Sequence, residues 1–530
     1  MDVLKNSGFH WMMWLKKAHD LPLGTALLLV LAVSVAAGLF NHLAVTRPMI
    51  NDEAVELLQG VDMPVNGFHF FTPDYVYPEG FADIIETFVP YINRALSGHF
   101  FGFESQESLT LAIRSYFGLA YVAGVLLFTL AVGRLWGGWW AVAGGVCLGL
   151  SAFTLILNQF LTRNGISILW STALVLLLVF RMEGNKESFF KRKVVISILM
   201  ACVLVLGCWT YTSFRLLTLA FYLALLLDWF RFDRTLKTFT LLGVSGTTFV
   251  CILGLLVVLG GVSPMLFLQR GGYAMGEVNH YFNLLMLSLL SPLYHATGQN
   301  PFFLVEDIHN LVQRPVLSLW LAPFFVLGWL VSWRRGGRLM SVVVLTYTAG
   351  MALCALAGPS AKYLFVFFPF TIVLSLVGLR TGYEWLKKVP LVRKIRPVVA
   401  TFFLVGMASG EIRELSVRFR EDDDHVRNAT AELLAKTALE YLELGGTVYV
   451  LPGLGCDIVM WKTRAGRNTG RLFVCRSMDD FRKLVEQGIS RTGAVLLVDY
   501  PIDGETLQLN GWTFPEQVRI INVSAVQATR

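Results

Sequence analysis

The most regular feature of the chain is a series of long apolar runs separated by short polar breaks, without period-2 alternation. About 20 apolar residues cross a bilayer as a helix, whereas a barrel strand alternates over about 10. Eleven intervals therefore predict helical spans: 22–45, 113–133, 138–157, 165–180, 194–210, 214–230, 239–261, 316–333, 340–357, 363–379 and 397–410. The first has no small-residue cleavage site clearly following it, so it reads as a retained anchor rather than a cleaved leader.

Composition agrees with the pattern. Of 530 residues, 55% are hydrophobic and only 15% charged, and mean hydropathy is +0.59. A soluble domain carries about a quarter charged residues. A soluble enzyme, a disordered chain and a fibrous protein are thereby excluded. The net charge of +7 invites a nucleic-acid reading, but the positions of the cations remove it. With the N-terminus in the cytoplasm, 21 Lys and Arg up to residue 410 fall on the inner side and 8 on the outer. That asymmetry is the positive-inside bias of a multi-pass protein. An odd number of crossings then places the C-terminus outside.

Residues 411–530 differ in composition. They hold 15 of the 44 Lys and Arg, many carboxylates, and strand-like runs at Thr447–Leu451, Arg471–Cys475 and Ala494–Asp499. Helical patterns at Thr430–Leu444 and Met478–Gly488 alternate with them. The expected organisation is a helical polytopic membrane domain, 1–410, followed by a small extracytoplasmic α/β accessory domain, 411–530. Cys456 and Cys475 lie in that domain, where an oxidising compartment permits either a disulfide or two buried thiols.

Only two connections between spans are long, 46–112 and 262–315, and both fall outside. Long loops are uncommon unless they work. The first carries ten carboxylates against Arg47 and Arg94. Its Asp52-Glu53 pair follows the first span by a few residues. A partly desolvated carboxylate there has the means to act as a general base, and a solvated acidic loop is the plainer alternative. The outer cations are the second signal. Arg163 closes the third span, Arg215 follows Tyr211 by four residues on one helix face, Arg270 opens the second long loop, and Lys362 precedes the tenth span. An anionic headgroup, phosphate above all, explains cations placed against the topological trend. Snorkelling to lipid phosphates or local pairing explains each singly. A metal site is disfavoured, because His280, His295 and His309 lack tight ligand spacing.

In this order the motifs resemble the GT-C superfamily of integral-membrane glycosyltransferases. The likeness is to the bacterial branch similar to protein O-mannosyltransferases and lipid A aminoarabinose transferase. The elements are Asn51-Asp52-Glu53-Ala54, Tyr77-Pro78-Glu79-Gly80, Phe101-Gly102 with Arg114, Thr162-Arg163-Asn164-Gly165, Gly207 with Tyr211 and Arg215, Arg270 and Arg314-Pro315, and Lys362 with Pro369. They cover about 45–380. Two departures stand out: Lys362 where relatives often have Arg, and the less aromatic approach Pro48-Met49-Ile50-Asn51.

The resemblance implies a sugar donor on polyprenyl phosphate, used on the extracytoplasmic face of a bacterial inner membrane. Asp52 would take a proton from an acceptor hydroxyl or amine, with Glu53 its rival for that role or a ligand of acceptor or sugar hydroxyls. Attack at the anomeric carbon would invert it. Arg163, Arg215, Arg270 and Lys362 would stabilise the departing phosphate, Tyr211 would position it, and Tyr77 and Arg114 would join the substrate site. Related oligosaccharyltransferases carry Asp-x-Asp in the first loop; none occurs at 46–112, so metal-independent transfer is expected, with no cofactor. The acceptor is a glycan, lipid or protein. Two other classes compete. A flippase of lipid-linked glycans requires charged groups at mid-membrane depth. A non-catalytic scaffold leaves the acidic loop and outer cations without a task.

The topology generates a direct test in a cysteine-free background. A cysteine replacing Ser188 should react with a membrane-impermeant maleimide only after permeabilisation, and one replacing Gln299 should react in intact cells. The reverse pattern overturns the orientation.

Overall fold

The computed structural model describes residues 21–43, 106–151, 153–155, 164–182, 190–211, 213–232, 234–259, 317–318, 320–357, 365–388, 402–413, 424–452, 456–463, 469–484, 486, 494–498 and 518–522. The helices of the apolar part are α1 (Leu23–Leu43), α2 (Gln106–Trp136), α3 (Gly138–Gly149), α4 (Asn164–Met182), α5 (Phe190–Thr210), α6 (Ser213–Phe232), α7 (Leu236–Leu259), α8 (Ala322–Arg335), α9 (Arg338–Ala357) and α10 (Phe368–Lys388). A further helix, α11, spans 402–413. Each of the eleven predicted intervals thus carries a helix. Among the described residues, five helices are long and apolar enough to cross a membrane: Phe117–Trp136, Phe190–Thr210, Ser213–Phe232, Leu236–Val258 and Arg338–Leu356. Leu23–Ala37, Gly138–Gly149 and Ile166–Met182 are shorter apolar helices. Two boundaries differ from the prediction: α2 begins seven residues before its predicted span, and α3 stops at Gly149 ahead of a turn.

One continuous apolar core joins these helices, from Val30 of α1 through Phe128 of α2 and Phe221 of α6 to Phe370 of α10. The outward faces are equally apolar. On α7, Val250, Leu255 and Val258 are exposed. Apolar on both sides is the pattern of a helix bundle solvated by lipid. Close approach in such bundles needs small residues at the contact. Gly328 on α8 and Gly378 on α10 provide it: a Cβ at Gly328 would collide with the Leu374 carbonyl, and one at Gly378 with the Phe324 carbonyl.

Charges gather at one end of the bundle. Asp228 near the end of α6 is buried and pairs with Arg338 at the start of α9, Nε to Oδ2 2.9 Å. Arg134 at the end of α2 and Arg192 at the start of α5 both lie over the Phe180 ring near the end of α4. Arg380 of α10 lies over Trp136. Helix ends and helix starts therefore alternate at this rim, as successive crossings require.

The remaining elements are α12 (Asp424–Glu443), β1 (Val448–Leu451), α13 (Cys456–Lys462), β2 (Leu472–Val474), α14 (Met478–Leu484), β3 (Ala494–Val498) and β4 (Val518–Asn522). The strands form a parallel sheet in the order β2-β1-β3-β4. Val448 sits opposite Leu472 and Val495, and Ala494 opposite Val518. Strands covered on both faces read as unbroken apolar runs, and Val448-Tyr-Val-Leu451 and Ala494-Val-Leu-Leu-Val498 are buried throughout. On one face Val448, Val450 and Leu497 pack with Ala431, Leu434, Ala435 and Ala438 of α12 and with Ile458 and Val459 of α13. On the other, Tyr449, Leu451, Leu496 and Val498 pack with Cys475 and with Phe481 of α14.

This unit is seated on the bundle. Phe117 of α2 and Ile166 of α4 belong to the same buried cluster as α12 and β1, and Trp170 packs against both that cluster and the main core. Arg134 lies 17 residues beyond Phe117, about 26 Å along a helix. The sheet unit and the arginine rim thus occupy opposite ends of α2, separated by nearly the thickness of a bilayer's hydrocarbon core.

Cys456 and Cys475 are present as thiols. Burial, with Asp480 and Cys456 nearby, pushes the Cys475 thiol up from 9.0 to about 12.

Gly378→Leu should cost at least about 3 kcal/mol, seen as a lower apparent Tm in detergent. Gly246→Leu, where an added Cβ meets nothing within 4 Å, should leave Tm unchanged. For Cys475, the folded thiol stays neutral at pH 8, so alkylation should accelerate at least about a hundredfold on unfolding. Because its folded pKa is raised, the associated stability is present below the unfolded thiol's pKa and is lost as pH climbs towards about 12. A Cys475→Ala variant should show a smaller loss of stability over that interval.

Candidate functional site

At the end of the bundle that carries the sheet unit, α5 and α6 form a hairpin. The turn is closed by backbone bonds: the Tyr211 N–H donates to the Gly207 carbonyl at 2.9 Å, and the Phe214 N–H to the Tyr211 carbonyl at 3.1 Å. Gly207 is required by shape, since a Cβ there would enter the Phe214 ring. Below the turn, Cys208 Sγ and the Thr218 hydroxyl meet at 3.2 Å and bind the two helices together. Tyr211 is half-buried against the core. Arg215, one turn into α6, is also half-buried, with its Nε and Nη2 atoms buried. The four-residue spacing predicted one shared helix face, but Tyr211 lies in the turn after α5 and Arg215 near the start of α6, because the chain reverses between them.

The hairpin is tied to the seat of the sheet unit. Trp170 Nε1 donates to Thr210 Oγ1 at 3.0 Å, and Thr210 donates onward to the Leu206 carbonyl at 2.7 Å. One bond therefore links the residue before Tyr211 to the indole that packs against both cores. A second polar knot lies close to Phe117 along α2. Tyr121 Oη donates to the Leu148 carbonyl at 3.0 Å and meets Thr154 Oγ1 at 2.9 Å. Thr154 in turn donates to the Leu148 and Ser151 carbonyls, both at 3.0 Å. It pins the turn after α3 to α2, in the segment that leads towards Arg163.

The other predicted site residues are distributed as follows. Arg114 falls within α2, in the part that precedes Phe117. Asp52, Glu53, Tyr77, Arg163, Arg270 and Lys362 lie outside the described residues. Arg163 immediately precedes the first residue of α4, Asn164, four positions before Ser167 and seven before Trp170. The described structure places Tyr211 in the turn before α6 and Arg215 near the start of α6, and adds Trp170 and Thr210, which sequence reasoning passed over. Both are ordinary residues of apolar spans, and only their mutual bond marks them. It also adds Glu411, near the end of α11, a carboxylate only 6% exposed. Its helix touches α3 through Cys147 Sγ and Met407 Sδ, 3.4 Å apart. Glu411 fell one position past a predicted span, where an acidic residue reads as solvated.

Among the described residues, no group of three or more His, Cys, Asp or Glu side chains is placed to hold a metal ion. The chemistry on offer here is a guanidinium, a phenol, hydroxyls and an indole at the mouth of an apolar bundle. Such a set binds an oxyanion or a polyhydroxylated group.

No protein-family model matches the chain, and no curated protein matches it by sequence. Solved structures do match. ArnT from Cupriavidus metallidurans, bound to undecaprenyl phosphate, aligns with TM-score 0.50 and 14% identity over 87% of this chain and 88% of its own. The oligosaccharyltransferase of Archaeoglobus fulgidus in its apo form aligns with TM-score 0.54 and 12% identity, over 85% of this chain and 64% of its own. Tethered to an acceptor peptide containing the NVT sequon, the same enzyme aligns with TM-score 0.50 and 12% identity, over 85% of this chain. The chain spans less than two thirds of the oligosaccharyltransferase and most of ArnT. At this level of identity the likeness is one of fold.

Proposed function

We propose that the protein is an integral-membrane glycosyltransferase. It takes a sugar from a polyprenyl-phosphate donor and transfers it, with inversion, to an acceptor on the extracytoplasmic side of a bacterial inner membrane. The observation that carries the reading is the fold match along nearly the whole chain to ArnT, a protein bound to undecaprenyl phosphate in that structure. The Tyr211–Arg215 hairpin supports it from within the molecule, because it sets a guanidinium and a phenol where a lipid-borne phosphate would emerge from the apolar bundle. The eleven helices, read as eleven crossings with the N-terminus inside, put that hairpin and the sheet unit on the outer side.

In this reading Asp52, with Glu53 beside it, takes the proton as the acceptor oxygen or nitrogen attacks the anomeric carbon. The bond to the phosphate oxygen breaks, and the polyprenyl phosphate departs as an anion. A leaving group already ionised needs cations rather than a general acid. Arg163, Arg215, Arg270 and Lys362 supply them, Tyr211 holds the phosphate's position, and Tyr77 and Arg114 contribute to the substrate site. Transfer requires no metal and no cofactor. A flippase or a scaffold would make no use of a general base, which separates those readings from this one.

The decisive experiment uses purified protein in nanodiscs with a panel of polyprenyl-phosphate sugars and cell-envelope acceptors. Wild type should release free polyprenyl phosphate at a rate indifferent to chelator. Asp52→Asn should fold normally and lose at least about a thousandfold in rate, within the range set by general-base and positioning effects together. Arg215→Gln should lose about a hundredfold, the scale of one oxyanion donor. No release from any donor by well-folded wild type overturns the assignment, and loss on chelation overturns the metal-free mechanism.

A further inference from the structure

The arginine rim opposite the sheet unit is not used by the proposed chemistry, and its geometry is more specific than topology alone requires. Positive-inside bias needs only cations on one side; it does not need them seated on aromatic rings. Here Arg134 lies over the Phe180 ring with Cζ 5.9 Å from the centroid, and Arg192 lies over the same ring at 5.7 Å. The two guanidinium carbons are therefore within about 12 Å of each other. Two residues on, Trp136 carries Arg380 over its ring at 5.7 Å. Trp136 also meets Trp140 edge-on at 6.3 Å, and Trp140 meets Tyr383 at 6.1 Å. Arginines from α2, α5 and α10 and rings from α2, α3, α4 and α10 thus form two ring-seated clusters, joined through neighbouring positions 134 and 136 of α2. All three arginines are exposed.

Stacking a guanidinium on a ring uses its flat face and leaves its donors in the plane, pointing sideways. It also holds a long side chain in one place, which lowers the entropy lost when a ligand binds. Trp and Tyr beside such cations mark the headgroup level of a bilayer. Neither Arg134 nor Arg380 pairs with a carboxylate among the described residues. Three fork-shaped donors at headgroup depth match a lipid that brings two phosphates on one head, because one such molecule satisfies cations that single phosphates would have to reach separately. Basic pockets between helix ends on the cytoplasmic side bind lipids of that kind.

We propose that the patch built on Phe180 and Trp136, with Arg134, Arg192 and Arg380, is a binding site for a diphosphatidyl lipid headgroup of the inner leaflet. The site is separate from the transfer site, at the far end of α2 from Phe117, and its occupancy is measurable without any transfer assay.

The probe is cardiolipin, compared with phosphatidylglycerol at matched phosphate and with phosphatidylcholine. Native mass spectrometry of the detergent-purified protein counts bound lipid, and apparent Tm reports its effect. The expected result is one cardiolipin retained, with a Tm rise that matched phosphatidylglycerol does not reproduce. R134Q/R192Q/R380Q should weaken retention at least tenfold. R231Q/R234Q, which removes cations at the end of α6 and just beyond it, should leave retention unchanged. If the triple glutamine variant fails to fold, R134K/R192K/R380K decides: it keeps the charge, loses the stacked forks, and should weaken retention at least threefold. Equal effects of cardiolipin and phosphatidylglycerol, or equal losses in the R231Q/R234Q control, would overturn the proposal in favour of general charge attraction. Undiminished retention in the lysine variant would do the same.

Discussion

Hydrocarbon offers no partner to a backbone N–H or carbonyl, and that constraint governs the rest of this molecule. Each crossing segment must satisfy its own backbone, so the apolar part is helical throughout its described length. Polar side chains inside it turn to the same solution. Thr129, Ser171, Thr172, Thr218 and Ser375 each donate to a carbonyl about one turn back on their own helix. Charged groups have no such escape, so they collect where helices end. Chemistry that needs charge can then be built only at the two ends of the bundle, and the two ends are different.

One end is organised by charge. Asp228 is buried and pairs with Arg338, and breaking a buried ion pair costs several kcal/mol. That pair fixes the end of α6 to the start of α9. Arg181, 6% exposed at the end of α4, sits in the field of the same two groups. The other end is organised by apolar contact. Phe117 and Ile166 extend the bundle's surface into the core of the sheet unit, and the polar bond from Trp170 to Thr210 runs alongside. The sheet unit depends on that seat. Its strands are short, and its α13 and α14 are only seven residues each. Helices of that length have little stability of their own.

How much of this was legible in the sequence depended on the length scale of the signal. A run of about 20 apolar residues is unambiguous, and a helix lies at every interval so marked. Strands β1 and β3 were legible because a parallel strand covered on both faces is a solid apolar block. Strand β4 was not: Val518-Arg-Ile-Ile-Asn522 is short, carries an arginine, and takes its place only by pairing with β3. Four-residue spacing marked Tyr211 and Arg215 as candidates but read them as one helix face, and it missed the turn that separates them. Trp170 and Thr210 were invisible, because they are 40 residues apart and each is unremarkable in its own helix. Glu411 was missed for a related reason, since its burial comes from neighbours outside its own segment. Local pattern reports which face a residue belongs to; it does not report what meets that face.

The hairpin that carries Tyr211 and Arg215 shows why a bundle of this kind suits a lipid-borne anion. A guanidinium at the edge of hydrocarbon must keep its charge solvated while its stem stays in an apolar setting. Arg215 meets this only in part: it is half-buried, and Nε and Nη2 of the charged group are themselves inside. A phosphate on a polyprenyl chain has the complementary problem: its tail prefers the bundle's lipid face and its head the polar mouth. Bringing the two together lets each relieve the other's desolvation. The gain is largest where the protein group is already held. Gly207 lets Phe214 lock the turn, Cys208 and Thr218 bind its two arms, and Thr210 ties it to Trp170. Arg215 therefore projects from a turn whose geometry is set before any ligand arrives, and such pre-organisation is what its proposed role, stabilising a departing phosphate, would require.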